Sequence, residues 1–140
     1  MKDYLMIIDN DLKDIQLAKI ALEETECRLD IKEFTSGIRA LNYLEEQADQ
    51  RHFPKFILLD LKMPKFDGIQ VLRTLKANSD LMNIPVIIMT SSQQEKDIYI
   101  SYSNHANAFI VKSIDFSEFT TSMRHVYEFW GLTNYVMVYS

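Results

Sequence analysis

The chain predicts an α/β domain built on a parallel sheet, and three observations carry that prediction. Short apolar runs alternate with segments of helical period, the pattern of repeated βα units. The runs are continuous rather than alternating, as in strands covered on both faces. Several of them also stop abruptly at a polar residue. The first run, Leu5-Met6-Ile7-Ile8, predicts a strand near 4–9 and ends in Asp9-Asn10-Asp11. Ile15, Ala18 and Leu22 then recur at three and four residues, giving a helix one apolar stripe. A strand is expected near 29–34, followed by a helix whose stripe is Ile38, Leu41 and Leu44. Phe56-Ile57-Leu58-Leu59-Asp60 predicts the third strand over 56–60, and Ile69, Leu72 and Leu75 mark the helix after it. Val86-Ile87-Ile88-Met89 predicts a strand over 85–90 that delivers Thr90. The helix around 93–104 is weaker, because Ile98, Tyr99, Ile100 and Tyr102 cannot all face inward, which makes it a candidate interaction surface. Ala108-Phe109-Ile110-Val111 predicts the last strand, over 108–112, and delivers Lys112. The final helix carries Phe119, Met123, Val126 and Trp130 inward, and beyond Gly131 an apolar tail, Leu132 to Tyr139, needs something to pack on.

Composition narrows the function classes. With 47% apolar and 25% charged residues the chain has the balance of one globular domain. The net charge of −5 and the lack of a basic run argue against nucleic-acid binding by this chain alone. Cys27 stands alone, which excludes an internal disulfide and suits a reducing cytosol. The apolar stretch before Asp9 is too short for a signal-peptide core or a membrane span, so a cytoplasmic protein is expected. His52, His105 and His125 are scattered without metal-ligand spacing.

Polar strand ends are where chemistry is expected, because open parallel sheets bind ligands at the carboxyl ends of their strands. Asp60 is the candidate nucleophile, with Asp9, Thr90 and Lys112 at the ends of three other strands. Each residue also has a plainer role available: Asp11 caps a helix, Thr90 could cap the next one, Lys112 could be a solvated strand-end charge, and Asp67-Gly68 a turn. The coincidence of four strand ends favours a site. A carboxylate can attack a phosphoryl group and hold it as an acyl phosphate if the crowded charge is neutralised. Asp9 and Asp60 are suited to hold a Mg²⁺ ion, Lys112 to pair with one phosphoryl oxygen and the Thr90 hydroxyl to donate to another. Met63-Pro64 and Asp67-Gly68 are expected to shape the loop, with Gly68 supplying a turn conformation that other residues resist.

Five βα units with Asp9, Asp60, Thr90 and Lys112 at strand ends resemble the receiver domain of two-component response regulators over about residues 3–130. The most specific part is Leu58-Leu59-Asp60-Leu61-Lys62-Met63-Pro64 with Asp67-Gly68, supported by Met89-Thr90-Ser91-Ser92 and Val111-Lys112. Val111-Lys112-Ser113-Ile114-Asp115-Phe116 and the pair Phe129-Trp130 further resemble the stand-alone receivers associated with bacterial phytochrome kinases. The resemblance implies a flavodoxin-like (βα)5 sandwich with strand order 2-1-3-4-5, a receiver domain over 1–130 and a tail over 131–140. It implies phosphorylation of Asp60 by a histidine kinase or phosphotransfer protein, a backbone carbonyl of Lys62 as a further Mg²⁺ ligand, and a switch made of Thr90 and Phe109. Such a chain is a phosphoryl acceptor rather than a turnover enzyme, and its signal passes to a downstream protein partner. A homodimer is expected on the face of the fourth helix, fifth strand and fifth helix, with the tail contributing.

Three positions depart from that pattern. Asn10 stands where the family usually has a second acid, which weakens metal binding at that position. Ser113 follows Lys112 where Pro in a cis bond is usual; a non-proline cis bond costs about 2.5–4 kcal/mol, so a trans bond and a rearranged loop are expected. Phe109 replaces a Tyr and lacks its hydroxyl. Asn10 and Ser113 also favour an alternative, a non-phosphorylated pseudo-receiver acting as a constitutive interaction module. Enzyme readings fit less well: an aspartyl phosphatase would carry an acid where Lys62 stands, and Asp9-Asn10-Asp11 would repel the phosphate of a flavin.

Overall fold

The computed structural model describes residues 2–63, 67–112 and 115–133. Five strands, β1 (Tyr4–Ile8), β2 (Asp30–Phe34), β3 (Ile57–Leu59), β4 (Val86–Thr90) and β5 (Ala108–Val111), alternate with α1 (Leu12–Glu24), α2 (Gly37–Gln47), α3 (Gly68–Ala77), α4 (Glu95–Ser103) and α5 (Phe116–Val126). All pairings are parallel, in the order β2-β1-β3-β4-β5, the expected flavodoxin-like sheet.

The continuous apolar runs serve two cores, because successive side chains of a strand point to opposite faces. Met6, Ile8, Ile57, Leu59, Val86 and Ile88 face α2 and α3, where Leu41, Leu44, Val71, Leu72 and Leu75 cover them. Leu5, Ile7, Leu58, Ile87 and Met89 face α1 and α5 and pack on Ile15, Leu22, Phe119 and Met123. Burying each such side chain contributes about 1.5–3 kcal/mol, so the two covered faces of β1, β3 and β4 hold the sheet between the two helical layers.

Caps fix where the helices begin. Asp11 accepts from the Lys13 N–H at the start of α1, and Ser36 caps α2 by accepting from Arg39 N–H. Because α2 starts after Ser36, its buried line is Gly37, Ala40, Leu41 and Leu44, and the expected stripe residue Ile38 is turned outward and 54% exposed. Asp67 and Gln70 form a reciprocal capping box at α3. Gly68, the first residue of that helix, is needed for a close approach rather than for a special dihedral: a Cβ there would lie 2.1 Å from the Asp60 carbonyl oxygen. No glycine among the described residues has positive φ. The turn conformation expected of Gly68 is therefore not its reason for being there.

The last helix changes character rather than ending. After Val126 the chain continues as a π-helix, Tyr127–Thr133. Val126 and Tyr127, on either side of this change, are both buried, and the Tyr127 hydroxyl accepts from the Arg28 N–H at 3.1 Å. Gly131 lies against the Tyr127 ring and Leu29. Trp130 is half-buried in the α1–α5 core, while Phe129 and Leu132 are exposed. Of the expected tail, residues 134–140 lie outside the described residues, as do Pro64 and Ser113 with its peptide bond to Lys112. Among the described residues no helix is long and apolar enough to cross a membrane.

Candidate functional site

Three sheet hydrogen bonds run one residue beyond the strands and bring the candidate groups to one edge. Asp9 N–H donates to Phe34 O at 3.0 Å, Asp60 N–H to Ile8 O at 3.0 Å, and Lys112 N–H to Thr90 O at 2.7 Å. Each residue is thus zipped to its neighbouring strand just where the apolar run stops. The backbone leaves the sheet there, and the side chains converge above β1 and β3.

Lys112 is the hub. Its Nζ donates to Asp9 Oδ2 at 2.8 Å and to Asp14 Oδ2 at 2.7 Å, and lies 3.7 Å from Asp60 Oδ1. Asp9 is fully buried, and its other oxygen accepts from the Asp11 N–H at 2.9 Å. Asp60 is 5% exposed, and the Lys62 N–H also donates to its carboxylate. Burial pushes the Asp60 carboxyl up to about 6; Lys112 opposes this, while the Asp9 and Asp14 charges reinforce it. Burial alone would lower Lys112, but hydrogen bonds to Asp14 and Asp9 and the charge of Asp60 outweigh it and hold the ammonium above its ordinary value. Three carboxylates therefore share one ammonium, leaving an excess of negative charge in a site that is buried at Asp9 and Asp60 and open to water at Asp14.

The other candidates are arranged around this hub. Thr90 is buried at the end of β4; its hydroxyl oxygen accepts from Ser92 N–H at 3.4 Å, and the cap of α4 falls later, at Gln94, so Thr90 does not cap that helix. Phe109 is half-buried on β5 and lines a cleft of about 800 Å³ with Ser91, Gln93, Val111, Lys112 and Asp115. Asn10 is exposed between Asp9 and Asp11. Lys62 is exposed and reaches Asp97 of α4 at 3.5 Å. Asp97 and Ser101 are the buried residues of α4, Ile98 and Ile100 are half-buried, and Tyr99 and Tyr102 turn outward; Asp97 makes the polar ties to Ser92 and Lys62.

Asp14 and Asp97 escape sequence reasoning. Asp14 occupies the third helical position after the Asp11 cap, where an acid normally reads as helix capping. Asp97 sits in the first turn of a weak helix and reads the same way. A faint signal exists for Asp14, since it adjoins the buried Ile15 and so lies on the flank of α1 nearest the sheet.

The response regulator receiver domain model matches residues 5–124. This chain belongs to that family. Response regulator Rcp1 of Synechocystis sp. is 30% identical over 90% of this chain and 87% of its own length. The structure of the phosphorylated cyanobacterial phytochrome response regulator RcpA superposes with a TM-score of 0.85 at 30% identity, covering 97% of this chain and 99% of that one. The Mn²⁺-bound form of Rcp1 gives 0.83 at 28% identity over 97% and 99% of the two chains. The receiver family and the resemblance to phytochrome response regulators expected from the strand-end residues are both found.

Proposed function

We propose that this receiver accepts a phosphoryl group on Asp60 from a histidine kinase or phosphotransfer protein and passes the signal to a protein partner. The observation that carries the reading is the Asp60 carboxylate, nearly buried at the carboxyl edge of the sheet, with the Lys112 ammonium 3.7 Å away. Asp60 attacks phosphorus through one carboxylate oxygen; the new P–O bond forms as the bond to the leaving nitrogen breaks, and that nitrogen keeps the electron pair. Because burial raises its pKa only to about 6, Asp60 is mostly ionised at neutral pH and more basic than an ordinary carboxylate. Lys112 then turns from the acids to a phosphoryl oxygen, and Thr90 donates its hydroxyl to another.

The donor set fits a divalent cation. Three carboxylates against one ammonium leave a net deficit of positive charge, and the oxygen ligands are those a hard ion prefers. Asp9 and Asp60, with the backbone carbonyl of Lys62, would hold Mg²⁺, and Asn10 would contribute weakly. When bound, that ion neutralises charge on the transferring group. The Mn²⁺-bound form of Rcp1 supports divalent-metal binding by this chain.

Phosphorylation shifts the population of the face made by α4, β5 and α5, through Thr90 and Phe109. We place a homodimer on that face, with the residues after Gly131 contributing; exposed Tyr99 and Tyr102 on α4 support it. On this reading residues 1–130 are the receiver, the remainder is an assembly tail, and the protein works in the cytoplasm.

Neutral, exposed Asn10 favours a second reading, a pseudo-receiver that is never phosphorylated. Incubation with acetyl phosphate and Mg²⁺ separates the two. One acid-stable, base-labile phosphoryl group that disappears in Asp60→Asn supports the acceptor; undiminished labelling of that variant, or none of the parent, overturns it.

A further inference from the structure

We propose that Asp14 is a positioning residue that holds the Lys112 ammonium back from Asp60 and so limits phosphoryl acceptance. The proposal rests on the acceptor reading of Asp60. Its ground is the division of Lys112's bonds: 2.7 Å to Asp14 and 2.8 Å to Asp9, but 3.7 Å to Asp60. An ammonium has three protons to donate. Two are committed to the α1 side of the site, and the distance to Asp60 exceeds a hydrogen bond.

The two anchors differ in kind. Asp9 is fully buried and fixed by the backbone N–H of Asp11, so it cannot leave. The Asp14 side chain is 30% exposed and stands on the first turn of α1, where water can replace the ammonium. Asp14 is therefore the releasable anchor. It also returns to the cluster the negative charge that neutral Asn10 omits, from the flank of Lys112 instead of from the loop after β1. A phosphoryl oxygen arriving at Asp60 has to win the ammonium from Asp14. Removing the Asp14 charge leaves Lys112 free to meet the incoming dianion, and the benefit appears chiefly in donor binding, since the bond that is released is one to the ammonium and not to the Asp60 carboxylate.

Acetyl phosphate labelling of the full chain, followed against donor concentration, tests this. Asp14→Asn is expected to lower the half-saturating concentration about five-fold with little change in maximal rate, the size of one partly exposed ion pair. Asp14→Glu, which keeps the charge, is expected to return toward the parent. In a Lys112→Met background, Asp14→Asn is expected to change labelling by less than about two-fold. A gain that persists without Lys112 overturns the proposal, because simple charge repulsion would explain it; slower or unchanged labelling of Asp14→Asn also overturns it. Side-chain ¹⁵N-lysine spectra give a readout that needs no phosphorylation. The slowly exchanging Lys112 ammonium signal expected in the parent should be lost in Asp14→Asn, and its persistence there sinks the idea. Absence of label in every protein refutes the acceptor reading instead, and the ammonium signal then decides on the Asp14 anchor by itself.

Discussion

Lys62 Nζ lies 3.5 Å from the Asp97 carboxylate, joining the loop that follows Asp60 to helix α4. Asp97 also accepts a short hydrogen bond from the Ser92 hydroxyl in the loop after Thr90. One carboxylate thus ties α4 to both loops at the carboxyl edge. The Ser92 bond is the main reason that Asp97 titrates below the usual carboxylate range, although burial opposes it. A depressed carboxylate contributes stability that is present above its unfolded pKa of about 4 and lost as pH falls through the folded value. Asp97→Ala is expected to cost about 1–2 kcal/mol at pH 7 and to speed amide exchange selectively in Glu95–Ser103. Denaturation and hydrogen exchange check it; unchanged protection of α4 would show that the tie is not what holds the helix.

The raised pKa of Asp60 has the opposite sign. Between about pH 4 and 6 the folded state binds the proton more tightly than the unfolded chain, so this group's contribution to stability falls as pH rises through that window. Its ionised form is a liability at neutral pH. Asp60→Asn is expected to be more stable than the parent by about 1–2 kcal/mol at pH 7.5 without divalent metal, with the difference shrinking toward pH 4. Urea titrations at several pH values measure this. A difference independent of pH would mean that burial of the charge is not its cause.

Asn10→Asp is expected to tighten Mg²⁺ binding by about 1 kcal/mol, the worth of one added charge in a partly solvated site. Calorimetric titration of both proteins decides the matter. Equal or weaker binding by the Asp variant removes position 10 from the metal shell.

Sedimentation of the full chain is expected to show a dimer, and truncation after Gly131 to weaken it. Leu132, 60% exposed at the end of the π-helix, is the first residue the truncation removes. A full chain that stays monomeric at high concentration refutes the dimer, whereas a truncated chain that associates equally well takes the tail out of the interface.

Periodicity and strand ends made the scaffold legible. The continuous runs at Leu5–Ile8, Phe56–Leu59 and Val86–Met89 are short enough for strands covered on both faces, and a parallel βα order follows from the helical periods that lie between them. The residues where those runs stop are brought to one edge because the sheet ladder extends one step past each run. What the sequence could not decide depends on how the helices dock. Asp14 reads locally as a first-turn acid; only the seating of α1 beside the end of β5 carries it to Lys112, 98 residues away. Asp97 reads the same way until α4 lies across the loop bearing Lys62. Gly68 reads as a turn residue, but its real constraint is the Asp60 carbonyl against which α3 begins. Local pattern determines which face of an element is apolar, since that follows from fixed backbone periods. The partners of a polar side chain between elements are set by packing angles and offsets, which arise only when the whole core closes.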